Sequence, residues 1–506
     1  MPDVNKALKI FQREGEEKVA REKAKVLNMP YVSLIGYPFT PEVLSSIPKE
    51  TAHKYNIIPF YKLNNQVKVA TPTPENKNIV PALREVAQAT NYKFFLYYCS
   101  LSSLRYGLQE LEFIKDAPET LKKHVIADEY IKSKIGASQG LAEIGNKITQ
   151  TPTTEVLDII FAGAIAVEAS DIHFEPEEES VRLRFRIDGM LQDIALLPSP
   201  AYKSIRNRVK FLSKLKINET DIAQDGRFDI RIGSSDVDVR VSLIPGAWGE
   251  VAVLRLLNPS KSIISLEQLG FNPKAMRDIE EAISKPNGAV FNTGPTGSGK
   301  TTTLYGVLQK LNKPEVKIIT LEDPIEYRIN GIDQSQINSE KGYDFANGLK
   351  HALRQDPDII MVGEIRDKET AETALQASLT GHLVLTTLHT NSAPSAIPRL
   401  IDIGVRPFLL SGSINLIIAQ RLVRRLCSAC KGKGCQICNK TGYKGRVAII
   451  ETLKITPKIE QLISKGGTVN DYEKIAREEG MIPMYEDGME KVRSGITSKE
   501  EIERIV

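Results

Sequence analysis

A glycine-rich octapeptide, GPTGSGKT at residues 294–301, constrains this chain more than any other feature of its sequence. It matches G-x-x-x-x-G-K-[ST] at every position, with a strand predicted before it at residues 289–291 and a helix after it at residues 302–311. Because its glycines let backbone N–H groups turn toward phosphates at a helix N-terminus, the segment predicts a nucleotide-binding P-loop; a ligand-free glycine-rich turn is the disfavoured alternative. Lys300 is expected to reach the β- and γ-phosphates and Thr301 to hold Mg²⁺. The predicted nucleotide-binding residues are Gly294, Pro295, Thr296, Gly297, Ser298, Gly299, Lys300, Thr301 and Thr302.

Two acidic segments follow apolar runs that are typical of buried strands. Residues 357–367, PDIIMVGEIRD, carry Glu364 after Gly363, and residues 321–327, LEDPIEY, follow the apolar run 316–320. A carboxylate at the end of a buried strand can lie beside the metal of a P-loop, and three carboxylates near a strand end suit Mg²⁺ binding and polarisation of an attacking water. Either segment alone would more often be a solvated loop. The P-loop shifts the interpretation toward catalysis.

A third segment, GHLVLTTLHTN at residues 381–391, has the apolar run of a core strand followed by a polar end. His389, Thr390 and Asn391 would emerge where a sensor can contact a terminal phosphate. A lone histidine at a strand end is more often a hydrogen-bonded structural residue. His389 is therefore a candidate because of the P-loop and not by itself.

Four of the five cysteines crowd together, at Cys427, Cys430, Cys435 and Cys438. Two Cys-x-x-Cys pairs separated by four residues are typical of a structural Zn²⁺ site with four thiolate ligands. A redox dithiol needs only one such pair, and an iron–sulfur cluster is the open alternative. Because a disulfide-stapled secreted protein would scatter its cysteines, the clustering favours a reducing compartment. The lone Cys99 is expected to be a small buried hydrophobe.

Length and charge exclude several classes of protein. The 506 residues suffice for about three domains, and 41% hydrophobic residues supply ordinary globular cores. The 67 basic and 63 acidic residues leave a net charge of +4, which offers no global electrostatic footprint for nucleic acid. The N-terminal segment lacks the apolar core of a signal peptide, so export by that route is not expected. Residues 373–398 form the longest stretch without charged side chains and are too polar to span a bilayer.

Changes in composition along the chain predict five parts. They are a charged helical extension at 1–28, an N-terminal α+β domain at 29–110, a linker with some helix at 111–152, a small α+β domain at 153–258, and an α/β domain at 259–506 that carries the cysteine cluster at 427–438.

Within the small α+β domain, residues 181–187, VRLRFRI, alternate with period two, which places three arginines on one face of a half-buried strand. Arg227 is expected in a turn-like segment before a strand and Arg240 on the next strand, so that both face one side of the domain. From about residue 260 the order of strand, glycine-rich turn, helix and strand predicts a doubly wound core, so the predicted fold class is α/β.

Taken in order along the chain, these motifs resemble those of the assembly ATPases of type II secretion and type IV pili. The P-loop is similar to the Walker A motif of that family, and residues 321–327 are similar to its Asp-box. Residues 363–367 are similar to its Walker B motif, and residues 381–391 to its His-box. The resemblance covers residues 155–455 strongly and 29–110 more weakly. Its further segments are residues 169–176, 184–189, 224–227, 239–242 and 442–446.

The resemblance implies a RecA-like P-loop motor domain, preceded by a PAS-like α+β domain and a smaller N-terminal α+β domain, assembled as a homohexamer. The family hydrolyses ATP to drive pilin or pseudopilin into a growing fibre. The implied cofactors are ATP, Mg²⁺ and Zn²⁺, and the implied partner is an inner-membrane platform protein. The implied location is the cytoplasm, peripheral to the inner membrane, with no membrane span of its own and no nucleic acid partner.

The resemblance also implies roles for the five predicted catalytic residues. Glu326 matches the Asp-box glutamate that orients the attacking water, and Glu364 matches the Walker B glutamate that supports Mg²⁺. His389 matches the His-box residue. Arg227 and Arg240 match arginines that the preceding domain offers to the nucleotide as it closes.

Two features depart from the family pattern. Only four residues separate the two cysteine pairs, where many relatives carry a longer insert, so the zinc loop is trimmed here. The N-terminal region lacks a clear copy of the motif by which some relatives bind a cyclic dinucleotide, and this ligand is not predicted.

Two other functions are compatible with a RecA-like core. A nucleic-acid motor uses the same core, but the balanced charge and the lack of a basic, aromatic-studded groove sequence argue against it. A non-hydrolysing, nucleotide-dependent scaffold would not need Glu326, Glu364 and both arginines. Within the family, a retraction motor is disfavoured because such relatives usually lack the long N-terminal region and the four cysteines. Pilus assembly and type II secretion are not separated by the sequence.

Overall fold

The computed structural model describes residues 15–112 except 36, 38 and 40, residues 124–126 and 140–151, residues 155–257 except 233 and 234, and residues 264–506. Several predicted segments lie outside the described residues: residues 1–14 of the predicted extension, residues 113–123 and 127–139 of the predicted linker, and the predicted boundary at 258–259. The chain forms two compact units, Met1–Asn258 and Pro259–Val506. The division into five parts stays a prediction. Among the described residues, no helix has the length and apolar character that crossing a bilayer requires.

The N-terminal part of the first unit is an α+β fold. Its elements are α1 (residues 15–26), α2 (Pro41–Leu44), α3 (Lys49–Tyr55), β1 (Ile58–Leu63), β2 (Gln66–Thr71), α4 (Ile79–Thr90), β3 (Lys93–Tyr98) and α5 (Leu101–Glu112). β2 pairs with β1 in antiparallel and with β3 in parallel orientation. Leu34, Phe39 and Val69 are fully buried in the core of this part. Cys99 is buried in the same core, as predicted.

The rest of the first unit is built on a seven-stranded sheet. Its elements are β4 (His124–Ile126), α6 (Leu141–Gln150), α7 (Val156–Ala166), β5 (Asp171–Pro176), β6 (Ser180–Ile187), β7 (Met190–Pro198), α8 (Ser199–Leu212), β8 (Gln224–Ile232), β9 (Ser235–Ile244) and β10 (Val251–Leu257). The strand order is β4-β8-β9-β10-β5-β6-β7. Val181, Leu183 and Phe185 of β6 are buried and the three arginines between and after them are half-buried, which confirms the predicted alternation.

Helix α6 lies within the predicted linker, which was expected to contain some helix, and its Ile144 and Ile148 pack into the core of the seven-stranded sheet. One local expectation for the first unit was wrong. Arg227 lies inside strand β8 and not in a turn before it, and it pairs directly with Arg240 of β9. The Asp-Gly pair before Arg227 resembles a turn, but nine residues of β8 pair with β9, and this pairing overrides the local preference.

The second unit is a mainly parallel α/β fold. Its elements are α9 (Pro273–Ser284), β11 (Gly288–Thr293), α10 (Lys300–Leu311), β12 (Ile318–Glu322), β13 (Asp333–Gln336), α11 (Phe345–Ala352), β14 (Ile359–Val362), α12 (Lys368–Leu379), β15 (Leu383–Leu388), α13 (Ala396–Asp402), α14 (Pro407–Leu410), β16 (Ile414–Leu426), β17 (Tyr443–Lys454), α15 (Pro457–Lys465), α16 (Val469–Glu478), α17 (Met484–Arg493) and α18 (Lys499–Ile505). The sheet order is β13-β12-β14-β15-β11-β16-β17, and only the last pair, β16 and β17, is antiparallel.

Both faces of this sheet are covered. Every residue of β11 and β15 is buried, as expected for parallel strands between two helical layers. Neighbouring residues of β11 belong to different apolar cores, Val290 to one and Phe291 to the other. β11 and α10 confirm the strand and the helix that were predicted around the P-loop.

The parallel topology places the predicted motifs at one edge of the sheet. The P-loop follows β11, the segment with Glu326 follows β12, Glu364 follows β14 and His389 follows β15. These four strands are neighbours in the order β12-β14-β15-β11, so their carboxyl ends meet. A crevice at the carboxyl ends of parallel strands is the usual ligand site of such a sheet.

Candidate active site

The P-loop connects the central strand β11 to the N-terminus of α10. Gly297 and Gly299 have φ of 79° and 90°, in the left-handed region that favours glycine. A Cβ atom on Gly299 would lie 2.8 Å from Nε2 of Gln420, and one on Gly294 would lie 2.6 Å from the Gln420 carbonyl oxygen. The conformation and the close packing both require glycine here.

Two polar groups of the P-loop suit an anionic ligand. The Lys300 ammonium donates to the carbonyl oxygens of Gly294 at 2.7 Å and Pro295 at 3.1 Å. Burial lowers the pKa of Lys300 to about 8, an effect that Glu364 opposes and Arg421 reinforces. The Ser298 hydroxyl is buried and has no hydrogen-bond partner among the described residues. A desolvated ammonium beside an unsatisfied hydroxyl, at the start of a helix, fits a phosphate group.

The predicted Mg²⁺ ligand on this loop lies in the first turn of α10. Thr301 is exposed and Thr302 is half-buried, whereas Thr303 is fully buried. The Thr301 hydroxyl is therefore accessible to a metal ion, and a hydroxyl oxygen is a ligand that suits Mg²⁺.

Glu364 and His389 contact each other beside the P-loop. Oε2 of Glu364 lies 3.5 Å from Nε2 of His389, and its Oε1 lies 2.6 Å from the Arg366 guanidinium. The Glu364 side chain is 14% exposed, while that of His389 is 49% exposed. Burial lowers the pKa of His389, and the Lys300 charge lowers it further, while Glu364 opposes both. Near neutral pH the imidazole is therefore mainly uncharged, and it can donate or accept a hydrogen bond.

Hydrogen bonds between neighbouring strand ends hold these groups together. The Thr387 hydroxyl donates to the Gly363 carbonyl at 2.7 Å, which joins the His389 segment to the Glu364 segment. The backbone N–H of Thr390 donates to the Thr293 hydroxyl at 2.7 Å. Thr293 directly precedes the P-loop, so the three predicted motifs form one network.

The segment with Glu326 corrects one expectation. Of the three carboxylates predicted near the end of β12, that of Glu322 is buried and fully engaged: it accepts hydrogen bonds from the hydroxyls of Tyr305 and Thr320 and from the Gln334 amide. It is not available to a metal ion or to water. Tyr305 also contacts the backbone of Glu326, and its ring lies edge-on to Tyr327 with centroids 4.5 Å apart. Glu322 and Tyr305 therefore shape the loop that presents the half-buried Glu326.

Arg227 and Arg240 belong to the first unit, whereas the P-loop belongs to the second. They are cross-strand neighbours on the same face of the seven-stranded sheet. Arg227 is exposed, and the Arg240 guanidinium lies 3.9 Å from Asp238. Like charges directly opposite each other destabilise a sheet, so two adjacent guanidiniums suggest an anionic ligand. Their contact with nucleotide stays a prediction.

The four clustered cysteines have the geometry of a tetrahedral metal site. Their sulfur atoms all lie within 4.8 Å of one another. Sγ of Cys435 lies 3.9 Å from that of Cys427 and 3.7 Å from that of Cys438, which is also 3.7 Å from Sγ of Cys430. Four sulfurs bound to one Zn²⁺ at about 2.3 Å would be about 3.8 Å apart. The residues present therefore fit the predicted Zn²⁺.

Backbone N–H groups donate hydrogen bonds to two of these sulfur atoms. The N–H of Gly434 donates to Sγ of Cys430 at 3.2 Å, and the N–H groups of Cys435 and Gly442 donate to Sγ of Cys438 at 3.1 and 3.3 Å. Burial alone would raise the pKa of Cys438, but these two backbone hydrogen bonds, together with hydrogen bonds from the thiols of Cys430 and Cys435, lower it to about 6. Thiolates are the form that binds metal.

Sequence reasoning missed two residues next to the P-loop. Gln420 and Arg421 lie on β16 and are buried among apolar neighbours. The signal was available, because they are two consecutive polar residues in an otherwise apolar run, LIIAQRLV at residues 416–423.

Comparison with known proteins is consistent with this geometry. Residues 146–504 match the family described as Type II/IV secretion system protein, and residues 27–115 match the MshEN domain. The Type IV pilus assembly ATPase PilB of Myxococcus xanthus is 36% identical over 518 residues, which cover 96% of this chain and 90% of that protein. The Type II secretion system protein HxcR of Pseudomonas aeruginosa is 45% identical over 362 residues, which cover 70% of this chain and 77% of that protein.

Solved structures show the same fold. The crystal structure of the Legionella pneumophila ATPase DotB is similar with a TM-score of 0.55 and 26% sequence identity. The similarity covers 71% of this chain and 96% of that structure.

Proposed function

Because the chain belongs to the type II/IV secretion system protein family and is an ATP hydrolase of its pilus-assembly and type II secretion branch, we propose that it works as a hexameric assembly motor. In this proposal, ATP hydrolysis drives the assembly of a type IV pilus or of a type II secretion pseudopilus. The observation that carries it is the contact between Glu364 and His389 beside the P-loop, where the charge of Lys300 acts on both groups.

The proposed chemistry is attack of water on the γ-phosphorus of ATP, with a new oxygen–phosphorus bond formed as the bond to the β-phosphate oxygen breaks. The P-loop N–H groups and Lys300 would hold the phosphates, and Thr301 and Glu364 would hold Mg²⁺, which neutralises phosphate charge when bound. Glu326 would orient the attacking water. His389, uncharged near neutral pH, would contact the terminal phosphate as a sensor.

Arg227 and Arg240 are proposed to stabilise the charge that develops in the transition state. A guanidinium offers a planar array of donors that matches phosphate oxygens, and it stays charged at any physiological pH. Because these two residues belong to the first unit, their contribution would couple hydrolysis to motion of that unit.

The proposed partners are other copies of this chain and an inner-membrane platform protein of a pilus or secretion machine, and the proposed location is the cytoplasmic face of the inner membrane. The sequence identity to the M. xanthus pilus ATPase over 96% of this chain supports the pilus branch, and the 45% identity to HxcR supports the secretion branch. Zn²⁺ is proposed as the resident ion of the four cysteines, on the sulfur geometry.

Replacement of Lys300 tests the proposed hydrolysis. We expect Lys300→Ala to lower ATP turnover by about a hundredfold or more, because phosphoryl transfer depends chiefly on positioning and charge stabilisation. Lys310→Ala is the matched control, since Lys310 lies at the other end of α10 and pairs with Glu280. Steady-state phosphate release measures both variants. Wild-type turnover in Lys300→Ala would refute the assignment of this site.

A further inference from the structure

Strand β16 carries two buried polar residues whose place in the reaction is not explained by the motifs described above. Gln420 is 1% exposed and Arg421 is 9% exposed, and both follow the apolar residues Leu416–Ala419 on the strand next to β11. Burying an amide or a guanidinium is costly unless its hydrogen bonds are satisfied. Consecutive residues of a strand point to opposite faces of the sheet, so these two side chains serve different surroundings.

Gln420 binds the P-loop and both of its flanks. Its Nε2 donates to the Ser298 carbonyl at 3.0 Å, and its Oε1 accepts from the Thr303 hydroxyl at 2.7 Å and from the Asn292 amide at 3.4 Å. Asn292 lies in β11, one residue before its end, Ser298 lies in the loop and Thr303 lies in α10. One amide therefore connects all three parts of the strand–loop–helix unit.

Arg421 binds the segment that carries His389. Its Nη2 donates to the Asn391 carbonyl at 3.0 Å and approaches Oδ1 of the same residue at 3.4 Å, and its Nη1 donates to the carbonyl of Gln420 at 3.0 Å. On the neighbouring strand, Oε1 of Glu451 accepts from the backbone N–H of Ala393 at 2.7 Å. Arg421 therefore holds Asn391 and Glu451 holds Ala393, both a short distance along the chain after His389.

We infer that Gln420 and Arg421 are positioning residues with separate tasks in ATP hydrolysis. Gln420 keeps the P-loop in its phosphate-binding shape, and Arg421 keeps His389 next to Glu364. Both tasks follow from the register of β16, because it places the Gln420 amide against the P-loop and the Arg421 guanidinium beside the His389 segment. This inference rests on the proposed function, since it assigns the two residues to steps of that reaction.

The two tasks predict different kinetic signatures for two adjacent residues. We expect Gln420→Leu, of similar size, to raise the KM for ATP about tenfold with kcat changed by less than about threefold, because a phosphate site that has lost its support weakens binding throughout the reaction. We expect Arg421→Met, which keeps the apolar stem, to lower kcat about tenfold or more with KM changed by less than about threefold. Steady-state kinetics and the equilibrium affinity for a fluorescent ATP analogue measure both.

Arg424→Met is the matched control. Arg424 lies on the same strand, but its guanidinium binds Glu501 and stacks on Tyr443 at 4.1 Å, away from the P-loop and the His389 segment. We expect this variant to lower the unfolding temperature without the kinetic signature of either neighbour. Gln420→Asn and Arg421→Lys retain the polar groups in altered positions and should show the same two signatures in weaker form. They replace Gln420→Leu or Arg421→Met if either of those variants does not fold.

A common signature would overturn the inference. If Gln420→Leu and Arg421→Met change KM and kcat together and in proportion to their loss of thermal stability, both residues act through fold stability alone. If Lys300→Ala keeps wild-type turnover, the proposed function fails and the inference falls with it. If Lys300→Ala is inactive but the other two variants share a common signature, only the positioning roles are refuted.

Discussion

At the scale of single residues, the burial of Lys300 connects the shape of the P-loop to the pH dependence of nucleotide binding. Burial lowers the pKa of this ammonium to about 8, and no carboxylate is within ion-pair distance of it among the described residues. Phosphate oxygens favour the charged form, so a bound nucleotide raises this pKa. Binding therefore takes up a proton when the pH is at or above about 8.

We expect the affinity for ATP to be constant below about pH 8 and to fall as the pH rises above it, by up to about tenfold per pH unit. The sign follows because the neutral amine, which dominates above the pKa, must first be protonated. Equilibrium binding of a fluorescent ATP analogue between pH 7 and pH 9.5 measures this dependence. Lys310→Ala should show the same curve as the wild type, and an affinity independent of pH over this range would contradict the prediction.

Glu326 provides a second prediction at this scale. We expect Glu326→Gln to bind ATP within a few-fold of the wild type but to hydrolyse it at least about a hundredfold more slowly, because the amide is nearly isosteric but is a poor base toward water. Single-turnover hydrolysis and nucleotide affinity separate the two effects. Glu340→Gln is the control, since Glu340 is exposed on the short helical turn Ser339–Lys341. Equal losses of binding and turnover in Glu326→Gln would instead indicate a structural role.

At the scale of elements, the connection between β16 and β17 depends on the four cysteines. The two strands pair from Leu416 with Lys454 to Leu426 with Tyr443, and the chain between them is closed by the N–H of Cys427 donating to the Gly442 carbonyl at 2.9 Å. This connection has few apolar side chains of its own, so a bound metal would supply much of its order.

We expect purified protein to contain one Zn²⁺ per chain, and Cys435→Ser to lose the metal and to lower the unfolding temperature. Elemental analysis and thermal unfolding of both proteins test this. Cys99→Ser is the control, because Cys99 is buried in a different core and lies outside the cluster. Iron in place of zinc, or no bound metal, would contradict the zinc site. Loss of zinc without a change in the unfolding temperature would indicate that the metal site does not contribute to the stability of the fold.

At the scale of the whole molecule, the predicted catalytic residues belong to two different compact units. The P-loop, Glu326, Glu364 and His389 belong to Pro259–Val506, and the arginine pair of β8 and β9 belongs to Met1–Asn258. The proposed motor function requires nucleotide-dependent interactions between parts of the molecule, because hydrolysis performs work only if the state of the nucleotide changes how those parts interact.

We expect Arg227→Ala to leave nucleotide affinity within a few-fold of the wild type and to lower turnover by more than about tenfold, because arginines of this kind act mainly in the transition state. Arg231→Ala is the matched control: Arg231 lies on the same strand, is exposed, and pairs with Asp236 at 2.8 Å. Turnover and affinity measured on both variants decide the question. Unchanged turnover in Arg227→Ala would indicate that Arg227 contributes to the structure of the first unit and not to hydrolysis.

Much of the architecture could be predicted from the sequence because its signals are local. The spacing of Gly294, Gly297 and Gly299 before a helix admits few conformations, and apolar runs such as that of β15 identify strands buried on both faces. Parallel strands then bring their carboxyl ends to one edge, which is why Lys300, Glu364 and His389 could be grouped in advance. The cysteine spacing was likewise sufficient to predict a metal site, because a short loop can bring four sulfur atoms together.

Only the tertiary structure decided the roles that depend on distant partners. Glu322 was grouped with Asp323 and Glu326 by its place in the chain, but Tyr305 and Gln334 bind its carboxylate and remove it from the site. Arg227 was placed in a turn by its neighbours, but pairing with β9 makes it part of a strand. Gln420 contacts Ser298 across 122 positions of sequence, and Arg421 contacts Asn391 across 30. The physical reason is common to all of these: a buried polar group takes its role from the partners that satisfy it, and the folded chain selects those partners by strand order and register.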